Sequence, residues 1–344
     1  MKAAVLTRPG ASPPSACFTI DPAYPKPTLP SQDWVLIRVR AAGLNRAELR
    51  SRHGFPGHIL EFNLFAKEYR ADPPKVIGEE MVGEVEKAGS NTEFKSGDKV
   101  VAWMFGGGKA FDGSYAEYAI SPEQAVVKLE TSLPWEVLGG AVMSMWTAHG
   151  ALDIAAQMKP RSLILIHGAS SSVGIWSIIL AKDIGCTVVA TTRNKSKIER
   201  LKLAGADYVV LEDELKETIP KLAPKGFDTW FEIVGPENIN PLALSSTARH
   251  GTVVHAGILS LNFSMGEFSP TDMGAVRKLT FYTTMPEDYD EGAADFVRCI
   301  IDKVERGVIK AEAFMDRVFS LQQIGEAHEY MENNKATGKV VITV

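Results

Sequence analysis

The stretch Leu163-Ile164-Leu165-Ile166-His167-Gly168-Ala169-Ser170-Ser171-Ser172-Val173-Gly174 decides the fold of this chain. A short aliphatic run leads into a turn of small residues, and residues 175–185 continue with apolar side chains at helical spacing. That order is the strand, turn and helix with which a dinucleotide-binding unit opens. Small residues let the backbone approach a pyrophosphate, and a helix beginning near Val173 turns N–H groups and a positive dipole end toward it. The glycine fingerprint is degraded, because Ser171 and Ser172 stand where glycines are more usual. By itself the stretch therefore also reads as an ordinary strand-to-helix turn.

Its surroundings favour the nucleotide reading. Thr187-Val188-Val189-Ala190-Thr191-Thr192 is a second buried strand, residues 195–204 have helical spacing, and residues 208–211 form a third strand. Residues 227–234 and 251–256 add two more strands and residues 278–283 a sixth. Strands that alternate with helices predict a parallel, doubly wound sheet.

The end of the second strand bears on the cofactor. A free ribose 2′-hydroxyl there meets an acidic side chain, whereas a 2′-phosphate needs its absence and a nearby cation. The chain reads Thr192-Arg193-Asn194-Lys195-Ser196-Lys197, without a carboxylate. A solvated basic helix start is the plain alternative, but cations are poorly placed against the positive end of a helix dipole. The pattern predicts NADPH over NADH, held by Gly168, Ala169, Ser170, Ser171, Ser172, Val173, Gly174, Thr192, Arg193, Lys197 and Gly257.

Away from this core, the 344 residues are 45% hydrophobic and 23% charged, the composition of a globular protein long enough for two domains. A net charge of −5 gives no general attraction to nucleic acid or anionic membrane. No run of 18 apolar residues suggests a membrane span, and the strand-like start ended by Pro9 and Gly10 does not read as a signal peptide. Cys17, Cys186 and Cys299 lie far apart, without metal-like spacing. Cys186 and Cys299 read as core residues, and the pattern as that of a reducing, cytoplasmic compartment. Residues 1–124 carry short β-rich segments broken by Pro and Gly, the pattern of a compact antiparallel barrel.

Several passages together resemble the medium-chain dehydrogenase/reductase superfamily, in its zinc-independent quinone-oxidoreductase and enoyl-reductase branch. They are Ala41-Ala42-Gly43-Leu44-Asn45, Ile77-Gly78-Glu79-Glu80-Met81-Val82-Gly83-Glu84-Val85, Gly97-Asp98-Lys99-Val100, Gly113-Ser114-Tyr115-Ala116-Glu117-Tyr118, Trp146-Thr147-Ala148, the turn around Gly174, Gly205-Ala206-Asp207 and Gly338-Lys339-Val340-Val341. They come in the family's order and span nearly the whole chain. The resemblance implies an α/β protein with a GroES-like β-barrel catalytic domain (residues 1–124, with a return segment at 286–344). A Rossmann NADP-binding domain at 125–285 is inserted in it, and the ligand site lies in the cleft between the two.

Zinc-dependent members place a cysteine where this chain has Asn45, a histidine where it has Glu79 and a third ligand where it has Met143. Residues 103–112 also lack the cysteines of a structural zinc site. With about three protein ligands needed, the expectation is no metal. Catalysis then rests on placing an electron-poor carbon against the cofactor. The branch lines its cleft at the positions of Asn45, Phe55 and Thr147. Asn45 either bonds substrate or ribose, or simply holds a turn; Thr147 either touches the nicotinamide amide or lines a helix. Some enoyl-thioester reductases carry Tyr at the Phe55 position, and Phe cannot protonate an enolate. That weakens the thioester reading unless Tyr69 substitutes. Residues 58–75 read equally as a lid or as packing on the barrel, and residues 261–268 as a second substrate wall.

The expected activity is reduction of a quinone or an α,β-unsaturated carbonyl by NADPH. The rival is a non-enzymatic NADPH-binding protein of crystallin-like or redox-sensing type. Residues 278–284, at the sheet edge, predict pairing into a homodimer.

Overall fold

A computed structural model describes residues 1–54, 73–103, 106–285, 288–289 and 291–344. Phe55, Tyr69 and most of the 58–75 stretch lie outside the described residues. The chain divides into two compact units, one of residues 1–143 with 285–344 and one of residues 144–284.

In the first unit, β1 (Ala3–Leu6), β2 (Phe18–Asp21) and β4 (Lys75–Val76) form a three-stranded sheet in the order β2-β1-β4. A seven-stranded sheet combines β3 (Trp34–Leu44), β5 (Glu80–Ala88), β6 (Lys99–Trp103), β7 (Tyr118–Pro122) and β8 (Val126–Lys128) with two strands from the far end of the chain, described below. Apolar and polar residues alternate in 34–40 and 82–88 because these are the pleats of β3 and β5, whose apolar faces meet in a core of Val35, Ile37, Val39, Val85 and Val100. Helix α1 (Arg46–Arg52) follows β3, and α2 (Trp135–Gly139) packs on β3.

Helix α3 (Val142–His149) leads to the second unit, where β9 (Leu163–His167), α4 (Ser172–Asp183), β10 (Thr187–Thr192), α5 (Ile198–Leu203), β11 (Tyr208–Leu211), α6 (Leu215–Leu222), β12 (Phe227–Glu232), α7 (Leu244–Ser246), β13 (Thr247–His255) and β14 (Lys278–Phe281) alternate. Their six strands make one wholly parallel sheet in the order β11-β10-β9-β12-β13-β14. The central strand β9 is buried because both neighbours pair with it, and α4 is buried from Gly174 to Ala181, as expected of a helix apolar all round.

The chain ends with α8 (Glu291–Glu305), α9 (Ala311–Phe314), β15 (Met315–Ser320), α10 (Ile324–Glu332) and β16 (Lys339–Thr343). β16 returns to pair antiparallel with β3, and β15 pairs with β16 in parallel, a departure from an all-antiparallel barrel. Cys299 corrects the sequence reading. On α8 the buried stripe is Val297, Ile300, Ile301 and Val304, and residue 299 falls outside that arc and is exposed. Cys17 and Cys186 are buried.

Candidate functional site

In the second unit the small-residue turn sits at the carboxyl end of β9. Gly168 adopts φ +86°, a left-handed conformation that glycine takes without strain, and its N–H donates to Thr191 Oγ1 at 3.2 Å. Ser171 caps α4, its hydroxyl accepting from the Gly174 N–H at 3.0 Å. A Cβ on Gly174 would lie 2.6 Å from the Ala169 backbone, so only glycine lets the turn fold back onto the first turn of the helix. Ser170, Ser171, Ser172 and Val173 are half-buried around the opened end of α4. Residues of this size at a helix N-terminus fit the pyrophosphate of a dinucleotide.

Neighbouring strand ends complete this rim. Thr192 closes β10 and is buried, its hydroxyl accepting from the Asn194 N–H at 3.2 Å. Arg193 follows on the exposed side, Lys197 is half-buried, and Gly257 stands beyond β13 with φ +106°. The structure thus brings these cofactor-binding candidates together along the carboxyl edge of one sheet.

Sequence reasoning missed the ion pair beneath the turn. Glu232, ending β12, is fully buried and accepts four hydrogen bonds, from the Val234 and Gly235 N–H groups at 2.9 and 3.1 Å, Trp230 Nε1 at 3.1 Å and His167 Nδ1 at 2.6 Å. Burial disfavours the His167 cation, but the bond to Glu232 and its charge outweigh burial and raise the imidazole pKa above its ordinary value. The pair clamps β9 to β12 directly below the turn. A His at the end of one strand and a Glu at the end of another carry no local signal of pairing.

The first unit holds a second polar cluster. Asn45 caps α1 in a capping box with Glu48, donating its backbone N–H to Glu48 Oε2 at 2.8 Å. Because β16 pairs Val340 with Leu44, Lys339 lies level with Asn45, and its ammonium bonds Asn45 Oδ1 at 2.6 Å and Glu80 Oε1. Asn45 Nδ2 donates to Glu80 Oε1 at 2.9 Å and to Glu48 Oε1 at 3.2 Å. The Met143 N–H donates to Glu80 Oε2 at 3.0 Å. Gly43 makes room for this cluster, since a Cβ there would lie 2.3 Å from Lys339 Cε.

Glu79 completes the cluster. It gives its backbone N–H to Glu48 Oε1 at 3.1 Å and accepts from Lys109 Nζ at 2.9 Å. Three buried carboxylates face two ammonium groups here, and burial, then the Glu79 charge, pushes the Glu48 carboxyl up to about 8.

These contacts bear on metal binding. Of the three positions where zinc-dependent proteins place ligands, Asn45 is bonded to one ammonium, Glu79 to another, and Met143 offers a thioether. Cations already occupy the negative side chains, and the donor set does not fit zinc. Among the described residues no group of three or more His, Cys, Asp or Glu side chains is arranged to hold a metal ion. Thr147, the third sequence candidate, lies half-buried on α3 and belongs to the second unit.

Comparison with known proteins follows the same division. A family model described as "Alcohol dehydrogenase GroES-like domain" matches residues 31–131, and one described as "Zinc-binding dehydrogenase" matches residues 172–298. The chain is similar to the quinone oxidoreductase of Homo sapiens, at 27% identity over 91% of this chain and 90% of that protein. It is 29% identical to the 2-methylene-furan-3-one reductase of Solanum lycopersicum over 90% of this chain and 72% of that protein. Among solved structures, a quinone oxidoreductase of Pseudomonas syringae pv. Tomato shares its fold with a TM-score of 0.82, at 23% identity over 100% of this chain and 99% of that one.

Proposed function

Because the chain belongs to the medium-chain dehydrogenase/reductase superfamily, on its quinone-oxidoreductase-like side, we propose that it is a metal-free reductase using NADPH to reduce quinones or α,β-unsaturated carbonyls. That it is an oxidoreductase working with a nicotinamide cofactor follows from the family; the phosphate-bearing cofactor and the substrate class are the proposal. The observation that carries it is the edge of β10, where Thr192 is followed by Arg193 and no carboxylate stands ready for a free 2′-hydroxyl.

Gly168 to Gly174 would hold the pyrophosphate on the N-terminus of α4, and Arg193 and Lys197 would meet the 2′-phosphate with charge-assisted bonds. Gly257 would let the chain after β13 pass close to the cofactor. When bound, the reduced nicotinamide supplies the hydride. The chain's own task is to orient an electron-poor carbon and exclude water. Asn45, with both ends of its amide engaged by buried partners, acts by holding Lys339 and Glu80 in place. Phe55 is proposed as an apolar wall of the substrate site, and Thr147 as a contact of the nicotinamide amide. The similarity to an enzyme named for a methylene-furanone, an enone by structure, supports the carbonyl arm of the reading, and the similarity to quinone oxidoreductases the other.

We also propose a homodimer. β14 is the last strand of its sheet, Phe281 on it is 50% exposed, and an open apolar edge invites pairing with a second copy.

The testing experiment follows oxidation of NADPH and of NADH with a small quinone and a small enone. Oxidation with at least one substrate, much faster at low NADPH than at equal NADH, is expected. Cofactor binding without turnover of either substrate refutes the reductase.

A further inference from the structure

Beneath the small-residue turn lies a row of titratable groups. Glu232 on β12 is level with His167 on β9 and His255 on β13, so the three side chains leave the sheet on one face. His167 is the last residue of β9, directly before Gly168, and the row lies with the turn in the unit of residues 144–284. Its Nδ1 meets Glu232 Oε2 at 2.6 Å, and its Nε2 stands 3.9 Å from Glu212 Oε1, just after β11. Glu237, after β12, is a third carboxylate acting on the ring, and its Oε2 is buried without a hydrogen-bond partner among the described residues.

One side chain answers these carboxylates as a cation. Among the described residues no Lys or Arg pairs with Glu232, whose ion-pair partner is His167. His255 is not a second cation, because burial outweighs the charges of Glu232 and Glu237 and lowers its imidazole pKa. At His167 burial also disfavours the charge, but the bond to Glu232 and the charges of Glu232, Glu212 and Glu237 prevail and hold the proton above the ordinary value of 6.5. A pyrophosphate brings two negative charges to the first turn of α4, where N–H groups and the helix dipole attract it. Glu232 is fully buried, so an uncancelled charge there would oppose that attraction with little screening by water.

We propose that His167 is a positioning residue for the dinucleotide: its imidazolium cancels the buried Glu232 charge and so lets a pyrophosphate settle on the turn from Gly168 to Gly174. This deepens the NADPH reading and rests on it. His167 acts through Glu232, whose other oxygen holds the Val234 and Gly235 N–H groups at the end of β12. Losing the proton keeps the Nδ1–H donor but uncovers the carboxylate charge. Affinity for the dinucleotide therefore falls as pH rises through the His167 titration, and by reciprocity the bound dinucleotide tightens the hold on the proton.

The test reads dissociation constants of NADPH and NADH by fluorescence in full-length protein, from about pH 7 to about pH 9.5, above the ordinary histidine range. A 2′-phosphate loses its second proton near pH ~6, and NADH has none, so a loss shared by both cofactors belongs to the pyrophosphate turn. Wild type is expected to lose roughly ten-fold or more in affinity for both, ten-fold being one pKa unit of coupling. His167→Gln keeps a donor to Glu232 but no charge, and is expected to bind both cofactors at the weaker level throughout, without a pH profile. Glu232→Gln leaves no charge to cancel. It is expected to hold its affinity across the range and to bind more tightly than wild type at the upper end, which a merely structural pair does not give. Wild-type affinities that do not change with pH overturn the assignment, as does a loss confined to NADPH or a folded Glu232→Gln protein that weakens with pH as wild type does. Melting temperature identifies a variant that has not folded, and the wild-type profile then decides alone. Binding of neither cofactor at any pH instead sinks the NADPH reading on which the assignment stands.

Discussion

Arg193→Ala is expected to weaken NADPH by roughly 1.5 to 3 kcal/mol, the scale of a hydrogen bond to a charged group, and to leave NADH nearly unchanged. Fluorescence titration with both cofactors checks it, and equal losses remove Arg193 from the 2′-phosphate. A second residue-scale prediction concerns Glu48, whose carboxyl lies near 8 in the fold against 4.5 in an unfolded chain. Between those values the unfolded chain has released a proton that the fold retains, so stability falls as pH rises from about 4.5 to about 8. Glu48→Gln keeps an amide oxygen for the capping box and removes the titration. Its melting temperature should therefore decline less than that of wild type across this interval; parallel profiles would contradict the raised Glu48 carboxyl. Of this cluster, only Asn45 was read from the sequence as a site residue. Asn45 and Glu48 carry the local spacing of a capping box, but Glu80 and Lys339 stand 35 and 294 residues from Asn45, and only the β3–β5 and β3–β16 registers bring them level.

Elements were easier to read than sites, for a physical reason. The runs 163–167 and 187–192 are buried on both faces of a parallel sheet, so their apolar residues are continuous and the strands end where β9 and β10 end. Residues 278–284 gave a longer strand than the four residues of β14, since pairing with β13 stops at Phe281 while the β-branched residues continue. Cys299 misled because an amphipathic helix tolerates an apolar residue on its solvent side. The open edge of β14 makes an element-scale prediction. Light scattering at micromolar concentration should give about twice the 37.4 kDa of one chain, and Phe281→Pro, which deletes a ladder N–H, should return it to one. A wild-type mass of one chain removes the dimer, and a dimer that survives Phe281→Pro moves the interface elsewhere.

At the scale of the whole molecule, the sequence supplied the order of motifs, and that order was enough for the two-part architecture. The chemistry was less accessible, because it depends on what replaces a metal rather than on any motif. At the positions where the resemblance places zinc ligands, Lys109 stands on Glu79, and Lys339 on Asn45, which shares it with Glu80. No helix among the described residues is long and apolar enough to cross a membrane. The most direct test is turnover by protein stripped of metal. After exhaustive chelation, with zinc verified absent by elemental analysis, the protein should oxidise NADPH with a small enone or quinone at its untreated rate and melt at its untreated temperature. Activity that disappears on chelation and returns only with zinc would contradict it.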